Sequence, residues 1–394
     1  MLIGFVGKPS TGKSTFFKAC TLADVAIANY PFTTISKNEG ITFVKIDCID
    51  KEFNKQCNPR TGYCIDHKRF IPVDLLDVAG LVPGASEGKG LGNQFLDDLR
   101  KADVLIHVVD ISGSTNEKGE PVTALSYDPL NDIEFLENEI ETWYTALVTK
   151  GWDKFTRQQK MEHGELFKAV AKQLSGLGVT EDIAENILRK FNEDLSKWTQ
   201  EDIIKLARTL RQKTKPIIIA ANKIDVPGAE KNMERIKKKY PDYVIIPCSA
   251  MAELTLRELT KDEKISYIPG ENSFKILKDL DEKQNKILEY INLNILKKFN
   301  STGVQQVLNS SVFDILKYIA IYPGGVNKLT DSEGRILPDC FLLKEGSTAL
   351  DFAFKLHTDF GKNFIRAIDV KKKLTVGKDY LLKHKDVIEI VANK

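Results

Sequence analysis

The sequence predicts an α/β fold: a mostly parallel sheet between helices, interrupted by a helical insertion and followed by a small C-terminal domain. Three observations carry this. The apolar run Leu2-Ile3-Gly4-Phe5-Val6 leads into Gly7-Lys8-Pro9-Ser10-Thr11-Gly12-Lys13-Ser14, and helix-forming residues follow. Strand-like runs recur at 70–76, 104–110, 216–221 and 244–246. After residue 316 the pattern changes to a few short strands around one helix.

The first turn fits GxxxxGK[ST] between a strand and a helix. Such a glycine-rich turn points successive backbone N–H groups at one spot, where the positive end of the helix dipole also falls. Triphosphates bind there, with Lys13 reaching the β/γ-phosphates and the Ser14 hydroxyl on Mg²⁺. Gly7, Lys8, Pro9, Ser10, Thr11, Gly12, Lys13, Ser14 and Thr15 are the expected phosphate-side contacts. These features together read as a P-loop NTPase domain.

Asn29-Tyr30-Pro31-Phe32-Thr33-Thr34 offers a threonine for Mg²⁺ and the γ-phosphate, and Thr34 is preferred over Thr33. After the strand at 70–76, Asp77-Val78-Ala79-Gly80 fits DxxG. Asp77 would hold Mg²⁺ through a water, and the Gly80 N–H would meet the γ-phosphate. The expected metal set is therefore Ser14, Thr34 and Asp77, and the expected catalytic set Lys13, Thr34 and Gly80. Residue 81 is Leu, which cannot orient an attacking water as a glutamine there would. Slow intrinsic hydrolysis follows, with help from outside or from Ser86, Glu87 or Lys89 in the glycine-rich segment after Leu81.

Between these motifs lie Cys48, Cys57, Cys64 and His67, spaced C-x8-C-x6-C-x2-H. Without a CxxC knuckle this reads as reduced structural thiols, with a metal site as the alternative. His107, in the middle of the strand 104–110, reads as a core histidine.

A nucleotide-binding domain needs only a helix and loops before its next strand, yet about a hundred residues intervene here. Residues 112–212 are read as a helical insertion. Asn131-Asp132-Ile133-Glu134 opens a helix with Ile133, Leu136, Ile140, Trp143 and Leu147 on one face. A shorter helix carries Ile183, Ile187, Leu188 and Phe191. Another, capped by Thr199-Gln200-Glu201-Asp202, carries Ile203, Leu206 and Leu210.

The parallel pattern resumes at 213–315. The strand-like Pro216–Ala221 is followed by Asn222-Lys223-Ile224-Asp225, an NKxD motif. The Asp225 carboxylate can accept from both the N1–H and the exocyclic amine of guanine, while Asn222 can meet the N7/O6 edge. Adenine lacks that donor pair, and leaving a buried carboxylate unpaired costs about 1–3 kcal/mol or more. Lys223 would pack along the base or the phosphate loop. After the strand 244–246, a backbone N–H of Cys248-Ser249-Ala250 can contact O6, so Ser249 and Ala250 join the base site.

In residues 316–394, Thr348-Ala349-Leu350-Asp351 caps a helix carrying Leu350, Phe354 and Leu356, which Gly361 would end. Strand-like runs at 317–321, 365–370 and 387–391 surround it, suggesting a ubiquitin-like β-grasp.

Asn29–Thr34, Asp77–Ala85 and Gly88-Lys89-Gly90-Leu91-Gly92-Asn93-Gln94-Phe95-Leu96 closely resemble the Obg/YchF family of translation-associated GTPases, in its archaeal type. The stretches Leu337-Pro338-Asp339, Glu345–Ala349 and Phe360–Phe364 resemble the TGS domain. That resemblance implies contact with RNA or the ribosome, with the TGS-like domain and the helical insertion as contact surfaces. Bacterial and eukaryotic YchF-type relatives lack a clean NKxD and accept ATP, so Asn222 and Asp225 imply GTP here. Many relatives carry Asn at the position of Ser10, which can help hold a monovalent cation; Ser10 leaves activation by K⁺ open.

The 394 residues allow two or three domains. A net charge of +2 announces no basic field for nucleic acid, and 42% hydrophobic content excludes wholesale disorder. From Asp331 onward 12 Lys/Arg stand against 10 Asp/Glu, so the resemblance rather than charge carries the RNA expectation. No apolar run reaches membrane-spanning length and the first strand begins at residue 2, so a cytoplasmic protein is expected. The expected function is a GTP-binding switch that slowly forms GDP and phosphate. The alternatives are an ATP-hydrolysing relative and a binding regulator with incidental hydrolysis.

Overall fold

In the computed structural model, residues 1–22, 38–78, 92–150, 152, 166–191, 198–326 and 328–393 are described. The strands are β1 (Leu2–Val6), β2 (Glu39–Asp47), β3 (Tyr63–Ile65), β4 (Lys68–Asp77), β5 (Val104–Asp110), β6 (Ile217–Asn222), β7 (Ile245–Pro247), β8 (Ile265–Tyr267), β9 (Phe274–Ile276), β10 (Tyr318–Pro323), β11 (Phe341–Lys344), β12 (Phe364–Asp369), β13 (Leu374–Val376) and β14 (Val387–Ala392). The helices used below are α1 (Lys13–Thr21), α2 (Gly92–Lys101), α3 (Leu130–Thr149), α4 (Leu166–Gln173), α5 (Glu181–Leu188), α6 (Gln200–Thr214), α7 (Ala229–Lys239), α8 (Ala250–Lys261), α9 (Glu282–Ile291), α10 (Val304–Asn309), α11 (Ala349–Leu356) and α12 (Thr358–Lys362). The chain divides into two units, Met1–Ala19 with Leu75–Val304, and Cys20–Asp74 with Gln305–Lys394.

The first unit is built on the strand order β4-β1-β5-β6-β7, with β4 entering through its last residues. β1, β5, β6 and β7 run parallel, with Val6 beside His107, Asp110 beside Asn222, and Ala221 beside Pro247. β5 and β6 are buried at every position. A parallel strand covered on both faces has no solvent side, which is why these segments read as continuous apolar runs. The parallel arrangement also brings the carboxyl ends of β1, β4, β5 and β6 to one edge of the sheet, where loops of α/β proteins bind ligands.

The insertion forms a helical layer in this unit. Leu136, Ile140, Trp143 and Tyr144 of α3 pack with Ile203, Leu206, Ala207 and Leu210 of α6, together with Ala184 and Ile187 of α5. Thr199 and Asp202 make the expected reciprocal cap of α6. The start of α3 differs from expectation. The helix begins at Leu130, whose N–H donates to Asp128 Oδ1 at 3.1 Å, and Asp132 is turned inward instead of capping. Its carboxylate meets Lys8 and Tyr127, and a buried ammonium is the stronger claim on it.

In the second unit a five-stranded sheet has the order β11-β10-β14-β12-β13. Ala349 and Phe352 of α11 pack on Ile319, Ile321, Ala367 and Ile388, giving one helix on one sheet as the β-grasp expectation required. Thr348 and Asp351 cap α11 reciprocally. Gly361 does not end this helix. α11 stops at Leu356, the chain turns at His357, and Gly361 lies inside α12, where a Cβ would sit 2.3 Å from the Phe354 ring.

The same unit contains β2, β3 and the first part of β4. Gln305 Nε2 donates to the Phe43 carbonyl at 2.8 Å, and Asn309 of α10 pairs with both the N–H and the C=O of Lys45. The buried Arg69 guanidinium donates to the Leu337 and Pro338 carbonyls, each at 2.9 Å. No helix among the described residues is long and apolar enough to cross a membrane.

Candidate nucleotide-binding site

Gly7–Gly12 join β1 to α1 at the carboxyl edge of the sheet. The Phe5 ring packs 5.3 Å from Phe16 and 6.0 Å from Phe17, so the helix is seated against the strand that precedes it. Its first turn therefore points into the edge with Lys13, Ser14 and Thr15 at its mouth, and Ser14 is exposed. Thr11 is buried and its hydroxyl donates to the Lys8 carbonyl at 3.1 Å, closing the turn. Ser10 takes a left-handed φ of 64°.

Lys13 Nζ forms an ion pair with Asp77 Oδ1 and donates to the Val78 carbonyl at 3.2 Å. The phosphate-loop cation and the DxxG carboxylate thus converge from the ends of β1 and β4. A cation for phosphate oxygens and oxygen ligands for a hard divalent ion lie side by side, and this donor set fits Mg²⁺. Thr34 and Gly80, and with them Leu81, Ser86, Glu87 and Lys89, lie outside the described residues.

Asn222 is expected at the base edge, and the contacts its carboxamide makes here are with the protein. Its Nδ2 donates to the Thr11 carbonyl at 2.8 Å, and its Oδ1 accepts the Ala250 N–H at 2.9 Å. The carboxamide ties the phosphate loop to the loop after β7. Gly12, at φ 91°, is required beneath it, since a Cβ there would lie 2.3 Å from Asn222 Nδ2. The backbone contact expected at 248–250 is corrected. The N–H groups of Cys248 and Ser249 donate to Ala221 and Thr302, and that of Ala250 to Asn222, so none of the three is available to O6. By helix geometry the next open donors are in the first turn of α8.

Lys223 Nζ reaches Asp110 Oδ2 at 2.9 Å and Ser114 Oγ at 3.3 Å, so its ammonium is anchored within the protein. Asp110 also accepts from Ser112, Ser114 and Thr115. Burial pushes the Asp110 carboxyl up, but the bonds from Ser112, Lys223 and Ser114 outweigh it and hold the group below its ordinary value. Asp225 keeps a carboxylate with no hydrogen-bond partner among the described residues, while its carbonyl accepts from Tyr290 at 3.0 Å.

Three supporting groups are not evident from motif spacing. The buried Lys8 ammonium lies 2.9 Å from both the Thr115 carbonyl and Asp132 Oδ2, and 3.9 Å above the Tyr127 ring. The 113–132 segment is thereby clamped to the phosphate loop, with Gly119 against Pro9 so closely that a Cβ would stand 2.7 Å from the proline's. Behind the 248–250 loop, the fully buried Glu253 accepts from Thr302, Tyr267 and Arg257. Asp110 is the third. Its signal is in the sequence, because a strand-ending Asp followed by hydroxyls at 112, 114 and 115 is a self-bonding turn pattern.

Residues 2–143 match the family described as 50S ribosome-binding GTPase, residues 220–325 the Obg-like GTPase YGR210-like, G4 motif-containing domain, and residues 330–392 the TGS domain. A GTP-binding protein of Methanocaldococcus jannaschii is 50% identical over 99% of both chains. The chain belongs to the Obg/YchF-like family of GTP-binding proteins. Within that family, the crystal structure of a GTP binding protein from Pyrococcus horikoshii superposes with a TM-score of 0.78 at 40% identity, covering 100% of each chain. A more distant Obg/YchF-like member, the ribosome-binding ATPase YchF of Bacillus subtilis, is 26% identical over 99% of this chain and 98% of its own. Membership accounts for the G-domain, the phosphate loop and the TGS domain in one chain, and for nucleotide hydrolysis as the general chemistry of the fold.

Proposed function

We propose that the chain binds GTP with Mg²⁺ at this sheet edge, hydrolyses it slowly to GDP and phosphate, and acts as a switch on the ribosome or translation-associated RNA in the cytoplasm. The convergence of Lys13 and Asp77 carries the reading. On binding, Lys13 exchanges the Asp77 carboxylate for β/γ-phosphate oxygens, while Gly7–Thr15 wrap the phosphates with backbone N–H groups. Asp77, Ser14 and Thr34 hold Mg²⁺, which neutralises charge on the phosphates when bound. The Gly80 N–H meets the γ-phosphate. Asp225 accepts from the guanine N1–H and amine, and Lys223 is fixed beside the base by Asp110.

Hydrolysis releases the contacts made by Thr34 and Gly80, and so turns nucleotide state into loop conformation. Leu81 makes the intrinsic rate slow, and the water-positioning group comes from the partner. The family description of residues 2–143 and the name of the YchF relatives support a ribosomal partner, met by the TGS domain and the helical insertion. Potassium activation belongs to the same test, since Ser10 offers only a hydroxyl.

A second reading is favoured by one observation. The YchF relatives are named ATPases, which makes ATP hydrolysis the second reading for this chain. GTP and ATP turnover by the purified chain with Mg²⁺, with and without ribosomes and with K⁺ or Na⁺, tests both. Slow GTP turnover accelerated by ribosomes supports the switch. Equal ATP turnover supports the second reading, and indifference to ribosomes removes the proposed partner.

A further inference from the structure

Outside the nucleotide site, the second unit gathers three thiols and a carboxylate at one point. Cys48 follows β2, Asp50 lies in the turn Ile49–Phe53, Cys57 in the irregular segment after it, and Cys64 in β3. One ligand atom from each of the four lies within 4.8 Å of every other. Cys48 Sγ and Cys57 Sγ are 3.5 Å apart, and Cys64 Sγ is 3.9 Å from Asp50 Oδ2. A tetrahedral zinc with bonds of about 2.3 Å to sulfur sets its sulfurs roughly 3.8 Å apart, whereas a disulfide needs about 2.05 Å. The separations are those of a coordination sphere.

We propose that Cys48, Asp50, Cys57 and Cys64 bind a structural Zn²⁺ ion. Four protein ligands fill a tetrahedron, which leaves no open position for substrate and distinguishes a structural from a catalytic centre. The surroundings have the form of an outer shell. His67 Nδ1 lies 2.9 Å from Asp50 Oδ1 and the Cys57 N–H donates to Asp50 Oδ2 at 2.9 Å, so the carboxylate is aimed from two sides. The Arg69 guanidinium, 3.8 Å from Cys57 Sγ, offsets the negative charge of three thiolates and a carboxylate around one dication. His67, which spacing alone made a candidate ligand, stands behind Asp50 and orients it.

The site closes the segment from Cys48 to Cys64 into one staple. Arg60 lies within that segment and Arg69 just beyond it, and they hold the 337–339 stretch through Asp339 and the Leu337 and Pro338 carbonyls. Ion binding would therefore rigidify the seam of the second unit. Three thiol protons leave as the metal enters, so affinity rises with pH.

The test uses the full chain purified under reducing conditions. Zinc content is measured, the metal is removed with a chelator, and Co²⁺ is added while absorbance is recorded. The proposal expects one metal per chain and the thiolate-to-cobalt charge transfer and intense visible bands of a tetrahedral site. It expects loss of both in Cys64→Ser, and retention in Cys20→Ala. His67→Ala should keep the bands but bind about 10–100-fold more weakly. If Cys64→Ser fails to fold, the wild-type cobalt spectrum still reports sulfur coordination. The proposal is overturned if reconstituted wild-type protein holds no metal, if its bands lack thiolate charge transfer, or if its intact mass shows a Cys48–Cys57 disulfide in the reduced preparation.

Discussion

Asn222 Nδ2 and the Thr11 carbonyl are joined at 2.8 Å, so the base motif and the phosphate loop are one hydrogen-bonded piece. Replacing Asn222 by Ala should leave the Thr11 carbonyl and the Ala250 N–H unpaired, costing about 1–3 kcal/mol for each buried group. Affinity for GTP and ATP should fall together, and thermal unfolding should move down. Loss of GTP binding with ATP binding intact would show that Asn222 reads the base after all.

Asp225→Asn should behave in the opposite way. A carboxamide presents a donor towards the 2-oxo group of xanthine, so preference should move from guanosine to xanthosine nucleotides with little change in stability. Competition of GTP and XTP for the same labelled diphosphate measures this. Unchanged GTP affinity would remove Asp225 from the base site.

Lys13 and Asp77 separate phosphate binding from metal dependence. Lys13→Ala should weaken triphosphate binding for any base, whereas Asp77→Asn should chiefly raise the Mg²⁺ concentration needed for turnover. A magnesium titration of both variants distinguishes the two roles. Identical magnesium curves for Asp77→Asn and wild type would exclude the proposed ligand.

His107 predicts the acid limb of stability. Burial lowers its imidazole from the ordinary 6.5 to about 3, with Lys8 adding to the shift. The folded value lies below the unfolded one, so on acidification the unfolded chain takes up the proton first and stability falls from about pH 6.5 downwards. At pH 5 the loss amounts to about 2 kcal/mol. His107→Leu should flatten urea-unfolding stability between pH 6.5 and 4. An unchanged pH profile in that variant would assign the acid limb to other groups.

Gly361→Ala tests the corrected end of the C-terminal helix. With the Phe354 ring 2.3 Å from where its Cβ would be, overpacking should cost about 1–3 kcal/mol. A helix-stopping glycine at left-handed φ would also resist alanine, but Gly361 has no such φ. Gly361→Ala combined with Phe354→Leu should therefore recover stability, read by thermal unfolding. Failure of the second change to rescue the first would make packing the wrong explanation.

The phosphate loop, DxxG and NKxD are legible because each is a local spacing on a strand end, and the capping boxes at Thr199 and Thr348 for the same reason. What escapes depends on register between distant segments. Nothing near Asn222 says that Gly12 will leave room for its amide, or that Asp110 will stand beside it across β5 and β6. Lys8 looks like a loop residue because its partners, Thr115 and Asp132, lie more than a hundred positions away. Gly361 has the position of a glycine that follows a helix, while its actual constraint is an aromatic ring earlier in the chain.

The second unit combines residues 20–74 with 305–394, and this has a consequence for biosynthesis and for truncation. Arg69 waits for carbonyls 268 positions later in the chain. At roughly 5–20 residues per second, its partners emerge roughly ten to fifty seconds after it. During that interval β2, β3 and β4 can pair with one another, but Phe43, Lys45 and Arg69 still lack the partners that Gln305, Asn309, Leu337 and Pro338 supply. A chain cut before residue 305 would be locked in that condition permanently. Removing the C-terminal domain is therefore not a clean excision of a tail, since it strips β2 of its Gln305 and Asn309 contacts and Arg69 of the Leu337 and Pro338 carbonyls.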